Sequence, residues 1–224
     1  RPAAGALRYL PRCSDAINCS NAARCATTVA SGPVSLKNQL ASGPSTIAPS
    51  RAKPGISCTA PPVIAIRGNR TLLNRPSIAM VGARDASAAG RRMARDLARD
   101  LGQAGYVIVS GMARGVDGEA HGAAMETGTV AAIAGGIDQI YPPQHEQLYG
   151  VLAQRGCIVS ESPLGYVAQA RDFPKRNRVI SGLSLATIVI EAAERSGSLI
   201  TARFALEQGR EVMAVPGSPL DPRA

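Results

Sequence analysis

From Pro61 onward the chain alternates short, unbroken apolar runs with longer segments whose apolar positions recur at helical spacing. Ile78–Val81, Tyr106–Ser110, Val130–Ala134, Cys157–Ser160, Ala186–Ile190 and Val212–Val215 read as strands of four or five residues, apolar on both faces. Between them the spacing predicts helices over Ala88–Ala104, Gly118–Thr127, Gln144–Arg155, Arg176–Leu183 and Leu199–Glu207. The first is the most regular. Met93, Leu97 and Leu101 repeat at four-residue steps beside Ala94 and Ala98, while Arg91, Arg92, Arg95, Asp96, Arg99 and Asp100 cover the other face. Gly105, Gly128, Gly156 and Gly209 follow four of the helices as stops. Strands alternating with helices imply an α/β fold, a doubly wound and mainly parallel sheet flanked by helices.

Residues 1–60 break this rhythm. They hold six Pro, eight Ser, one Asp and no Glu, without a sustained period of 3.6 or 2. Such a segment buries too little apolar surface to offset chain entropy. Two readings are open, a disordered leader and a stretch translated out of the native frame upstream of about Pro61. The expected organisation is a leader over 1–60, one domain over 61–218 and a truncated tail or linker over 219–224.

Charge changes the picture only locally. The chain carries a formal +9, but residues 1–60 contribute +6 (seven Lys/Arg against Asp15) and residues 61–224 only +3 (18 against 15). A high overall pI is therefore weak support for a polyanionic partner. Aromatics are few, five Tyr and two Phe with no Trp, so the core must be built from Ala, Val, Leu and Ile. Four of the five Cys fall at 13, 19, 25 and 58 with no CxxC pair and no His before His121, which argues against zinc. No run approaches a membrane span and no signal-peptide core is evident, so a reducing, cytoplasmic setting is expected.

The candidate chemistry sits where ligands bind in doubly wound sheets, beyond the carboxyl ends of the strands. Gly82-Ala83-Arg84, the Ser110–Gly115 segment, Gly135-Gly136 and the stretch from Glu191 to Ser198 all fall at such ends and suggest a glycine-lined, anion-friendly rim. The densest signal is Phe173-Pro174-Lys175-Arg176-Asn177-Arg178, three cations and an amide in four residues at a loop-to-helix junction, where phosphates bind. No GxGxxG follows the first strand and no GxxxxGK[ST] exists, so dinucleotide and P-loop readings lose their support. Arg84 points instead to a forked grip on phosphate. Asp117 and His121 are four apart and share a helix face, which fits an acid–base pair or two groups satisfied by structure. Glu161 and Glu191 follow strands, as catalytic carboxylates or as partners of an Arg or a loop amide. Asp138 reads as a turn-former and Cys157 as buried and inert.

Several of these blocks occur in one order, and together they resemble the DNA-processing protein A (DprA/Smf) family. They are Ile78–Arg84 with Ser87 and Gly90, Ser110–Asp117 with Ala120-His121, Tyr141-Pro142-Pro143, Ser160-Glu161, Phe173–Arg178, Glu194–Ala202, Gln208–Val212 and Val215–Ser218. The resemblance covers roughly residues 61–218. It implies an extended Rossmann-like domain that binds single-stranded DNA without sequence preference, forms a homodimer and helps load RecA recombinase during natural transformation, with no catalysis and no cofactor. It implies phosphate contacts from Arg84, Lys175, Arg176 and Arg178, a pocket lined by Ser110, Gly111, Gly115 and Ser198, and support from Asn177 and Phe173. Residues 1–60 do not resemble the helical domain the family usually carries, and His145 stands where it often has Asn.

The competing class is an enzyme on a related fold, a nucleotide phosphoribohydrolase similar to the lysine-decarboxylase-like proteins. Those present a catalytic Glu from a PGGxGTxxE loop. The nearest segment here, Glu194 to Thr201, lacks the double glycine and the trailing acid.

Overall fold

The computed structural model describes residues 28–31, 60–194 and 196–217. Among them eight strands form one sheet: β1 (Thr28–Ser31), β2 (Val63–Gly68), β3 (Ser77–Val81), β4 (Val107–Ser110), β5 (Thr129–Gly136), β6 (Cys157–Ser162), β7 (Ala186–Val189) and β8 (Glu211–Ala214). Their order is β1-β2-β6-β5-β4-β3-β7-β8, and every pair is parallel except β2 with β6. Helices α1 (Ala88–Gln103), α2 (Val116–Ala124), α3 (Glu146–Arg155), α4 (Asp172–Gly182) and α5 (Gly197–Glu207) make the crossovers from β3 to β8. The doubly wound α/β architecture expected from the alternation is the one found.

The continuous apolar runs have their reason in this layering. All residues of β3, β4, β5 and β7 are buried, because helices cover both faces of the sheet. Alternate residues feed opposite layers: Ile78, Met80, Ile108 and Ile188 meet α1 and α2, whereas Ala79, Val81, Val109 and Val189 pack with Val179 and Ile180 of α4 and Ala202 of α5. Met112, Ile133 and Ile158 pack with Tyr149 and Leu152 of α3. Helix α1 seats on a stripe of Gly90, Ala94, Ala98 and Gly102, with Met93, Leu97 and Leu101 packed beside it. Small residues let α1 approach α2 and the sheet closely, so the large apolar residues that mark the helix in sequence flank the deepest contact.

Two elements differ from the sequence pattern. Strand β2 was not predicted. Its Val-Ile-Ala-Ile-Arg-Gly run alternates only briefly, and it exists because it pairs antiparallel along β6. Helix α4 begins at Asp172, not Arg176, so the basic run lies inside the helix rather than in a loop leading to it. Pro174 is tolerated there because amides of a first helical turn lack intrahelical partners in any case. Of the leader expected over 1–60, only residues 28–31 and 60 are described, and Thr28–Ser31 pairs with β2 as an edge strand. The remainder, including Cys13, Cys19, Cys25 and Cys58, lies outside the described residues, as does the tail 219–224.

The connection from β4 to α2 presses on the connection from β3 to α1. Gly115 caps α2 at φ +73°, and the Val116 amide donates to the Ala83 carbonyl at 3.2 Å. A Cβ on Gly115 would collide with the Ala83 and Arg84 carbonyl oxygens, which are backbone and cannot swing aside. Gly105 also has a positive φ, +95°, but open space around it. Gly115→Ala is therefore expected to cost about 2–3 kcal/mol, from overpacking added to strain, and Gly105→Ala about 1 kcal/mol from strain alone. Urea midpoints of the two variants check this; equal losses would show that the loop contact carries no weight.

Candidate functional site

The carboxyl ends of β3 to β6 open into two adjoining clefts. One, of about 240 Å³, is lined by Arg84, Ala113, Gln139, Tyr141 and Phe173 among others. The second, of about 280 Å³, is lined by Glu161, Ser162, Tyr166, Asp172 and Lys175. They share Ile133, Ala134 and Arg176, so Arg176 forms part of the wall of both.

Arg176 is an interior residue, 8% exposed. Its guanidinium donates to the Ala132 carbonyl of β5, and its Nε has no hydrogen-bond partner among the described residues. It faces Asp117 across Gly111: a Cβ on that glycine would lie 2.5 Å from Asp117 Oδ2 and 2.7 Å from Arg176 Nη1. Asp117 in turn accepts from the Ala113 amide at 3.2 Å, which shapes the loop between β4 and α2. Burial pushes the Asp117 carboxyl up to about 6, against the opposing pull of Arg176, and burial likewise lowers Arg176 to about 10. Arg178 is also engaged. It pairs with Glu161 in a contact where both side chains are under one-fifth exposed. The expected phosphate contacts Lys175, Arg176 and Arg178 therefore differ in exposure. Helical geometry turns only Lys175 fully to solvent, and the two arginines have partners within the fold.

The exposed groups form a different set. Arg84, on the connection after β3, lies over the Phe173 ring at 5.6 Å, a cation–π contact. The Tyr141 ring packs on Phe173 at 5.2 Å with a 52° tilt. Lys175 opens onto the second cleft. Neither Arg84 nor Lys175 closes a salt bridge among the described residues. The remaining expected pocket residues make contacts within the fold. Ser110 is fully buried and its hydroxyl donates to the Met80 carbonyl at 2.6 Å. Gly111 and Gly115 admit close contacts behind the cleft wall. Asn177 Nδ2 donates to the Gly197 carbonyl at 3.1 Å, tying α4 to α5, and Ser198 bonds Ser196 at 2.6 Å and lines neither cleft.

The other ionisable residues are held in place. His121 is fully buried, with Nε2 2.6 Å from the Gly111 carbonyl and Nδ1 2.7 Å from Thr129 Oγ1. Burial lowers it to about 4. Neutral at pH 7, it donates from Nε2 to the Gly111 carbonyl, and Nδ1 competes with the Ile108 carbonyl, 2.7 Å from Thr129 Oγ1, for the single Thr129 hydroxyl proton. Glu191 accepts from the Ser87 amide at 3.1 Å and from its hydroxyl at 2.7 Å. The chain winds from β3 to β4 on one side and returns to β7 on the other, and at that switch a doubly wound fold commonly holds a phosphate at a helix N-terminus. Here a carboxylate of the chain itself occupies the N-terminus of α1. Asp138 accepts from the Gly165 amide at 2.9 Å, and burial pushes the Cys157 thiol up to about 12.

Tyr141, Gln139 and Arg114 also line the first cleft and carry no local sequence signal of it. Tyr141 was visible only as part of a Tyr-Pro-Pro block. The connection from β5 to α3 brings it to Phe173, 32 residues later in the chain.

The family profile described as DNA recombination-mediator protein A matches residues 45–224. The chain is 46% identical over 167 residues to DNA processing protein DprA of Bacillus subtilis (strain 168), covering 73% of this chain and 56% of that one. It is 46% identical over 160 residues to protein Smf of Escherichia coli (strain K12), covering 70% and 43%. Among solved structures it is similar to DNA processing protein A from Streptococcus pneumoniae (TM-score 0.68, 40% identity, 71% of this chain and 57% of that one). It is also similar to that from Helicobacter pylori, a structure described for its single-stranded DNA binding mode (TM-score 0.69, 29% identity, 77% and 81%). The chain spans about half the length of the curated relatives it matches.

Asp117 and His121 set opposite pH dependences. The folded His121 resists protonation, so its contribution is full above about 6.5 and is lost as pH falls towards 4. The folded Asp117 retains its proton up to about 6, so its contribution is present below 3.8 and is lost as pH rises through 6. Between pH 6 and 4 the two slopes oppose. Asp138 and Asp172, held low chiefly by the Gly165 and Gln169 amides, titrate below that window. Asp117→Asn is expected to lower stability above about pH 6, where it removes the ionised counter-charge of the buried Arg176. It should also expose the His121 slope, up to about 1.4 kcal/mol per pH unit. Urea midpoints between pH 7 and 4 check this; a variant that parallels the native protein would refute the opposition.

Proposed function

The chain belongs to the DNA recombination-mediator protein A family, and we propose that it binds single-stranded DNA without sequence preference along its two adjoining clefts. One observation carries the reading: Arg84 and Lys175 are exposed, open onto the two clefts on either side of Arg176, and close no salt bridge among the described residues. Cations placed in line along a groove neutralise successive phosphates, and aromatic rings between them meet bases. The Helicobacter pylori relative's single-stranded DNA binding mode supports the ligand. Because Arg176 and Arg178 are engaged within the fold, the strand meets about two free cations instead of three or four. The salt dependence is correspondingly shallow, with a logarithmic slope of roughly −1.4.

Binding that rests on two cations and a few rings is weak per chain, so we propose a homodimer, in which two grooves on one strand raise the effective affinity. We extend the proposal to handing the strand to RecA recombinase in the cytoplasm, in keeping with the recombination-mediator description of the family. The action is one of binding, without catalysis: the carboxylates lining the second cleft are engaged, Glu161 with Arg178 and Asp172 with the Tyr166 hydroxyl and the Gln169 amide.

Fluorescence anisotropy of labelled dT oligomers over a salt series tests the first claim. Arg84→Ala and Lys175→Ala are each expected to weaken binding alike on all sequences and to reduce the slope by about 0.7. Arg203→Ala, on the exposed face of α5 and paired with Glu207, should leave both unchanged. Salt-insensitive binding, or equal losses in all three variants, would overturn the assignment. For the second claim, the chain should shorten the lag of RecA filament growth on single-stranded DNA; an unchanged lag alongside tight DNA binding would confine the protein to binding alone.

A further inference from the structure

We propose that Tyr141 is the base-stacking residue of the groove, an inference that rests on the single-stranded DNA reading and deepens it. Phe173 is the aromatic that sequence draws attention to, but its surface is already in use. Arg84 lies over its ring at 5.6 Å, and Tyr141 packs against it at 5.2 Å. Tyr141 itself is 52% exposed and lines the same cleft as Arg84. A half-exposed ring backed by a second ring, which itself carries a cation over it, has apolar surface to gain by covering a base.

The loop that carries Tyr141 is held before any ligand arrives. Tyr149 donates its hydroxyl proton to the Ile137 carbonyl, and the Gln139 amide donates to the Gly136 carbonyl at 2.8 Å. On the other side the His145 amide donates to the Pro142 carbonyl at 3.0 Å, and His145 Nδ1 lies 3.1 Å from the Met112 carbonyl. Pro142 is buried while Tyr141 is not. A platform fixed on both flanks loses little freedom on binding, which favours stacking over an equally exposed but mobile ring. Stacking on a ring face is open to every base, so it adds affinity without adding sequence preference. Phe173 and Arg84 then act as the backing of the platform, and Arg84 also meets phosphate.

The test uses the full chain with two probes, a dT oligomer and an abasic oligomer of equal length that keeps the phosphates and lacks the bases. Tyr141→Ala is expected to weaken dT binding about tenfold and to leave abasic binding unchanged, while Tyr141→Phe retains both. The chain contains no Trp, so Tyr141→Trp supplies a single reporter whose emission should be quenched by the dT oligomer and not by the abasic one. Undiminished dT binding by Tyr141→Ala, with Lys175→Ala impaired, would overturn the stacking role and leave the single-stranded DNA reading standing. Equal loss on both probes would assign Tyr141 a structural role and overturn the proposal. Failure of the native chain to bind either probe would remove both readings.

Discussion

The interior guanidinium of Arg176 is the interaction on which the site depends. It reaches from α4 to the backbone of β5, faces the buried carboxylate of Asp117 across Gly111, and forms part of the wall of both clefts. Removing one member of a buried charge pair leaves the other without water or counter-charge, at a cost of about 3–5 kcal/mol. The pair therefore ties α4, β5 and the start of α2 into one arrangement. Gly111 is part of this constraint, since the space between carboxylate and guanidinium has no room for a Cβ.

Around this pair the cations divide by position on a helix. Residues 175, 176 and 178 are close neighbours in sequence, but at about 100° per residue they point in different directions. Arg176 turns inward, Arg178 turns to Glu161, and Lys175 turns to solvent. The exposed cleft cations that close no salt bridge among the described residues are then Lys175 and Arg84, which comes from a strand end 91 residues earlier. This arrangement leaves fewer cations of the run at the surface than its sequence suggests.

The fold also closes a site that its architecture usually offers. Glu191 sits against Ser87 at the N-terminus of α1, and the Ser87 hydroxyl accepts from the Gly90 amide at 2.9 Å. The helix start is thereby satisfied by the chain's own side chains, and the anion-friendly surface is displaced to the ends of β3 to β6. Glycine-rich connections at strand ends, which read as ligand-approach points in the sequence, serve here in large part to let loops pack on one another.

Periodicity alone determined the α/β class, five helices and six of the strands, because strands covered on both faces must be apolar throughout and covered helices must be apolar on one side. The ordered motif blocks determined the family. The short strand β2 escaped, since its pattern is too brief to differ from a loop until β6 offers it an edge. The start of α4 escaped because Pro174 reads as a break, although a first helical turn has no use for its missing amide proton. Which cations are free, and that Tyr141 meets Phe173, was decided by tertiary structure alone. Charge and ring type are properties of single residues, but pairing and exposure depend on contacts between segments far apart in the chain, and no local pattern encodes them.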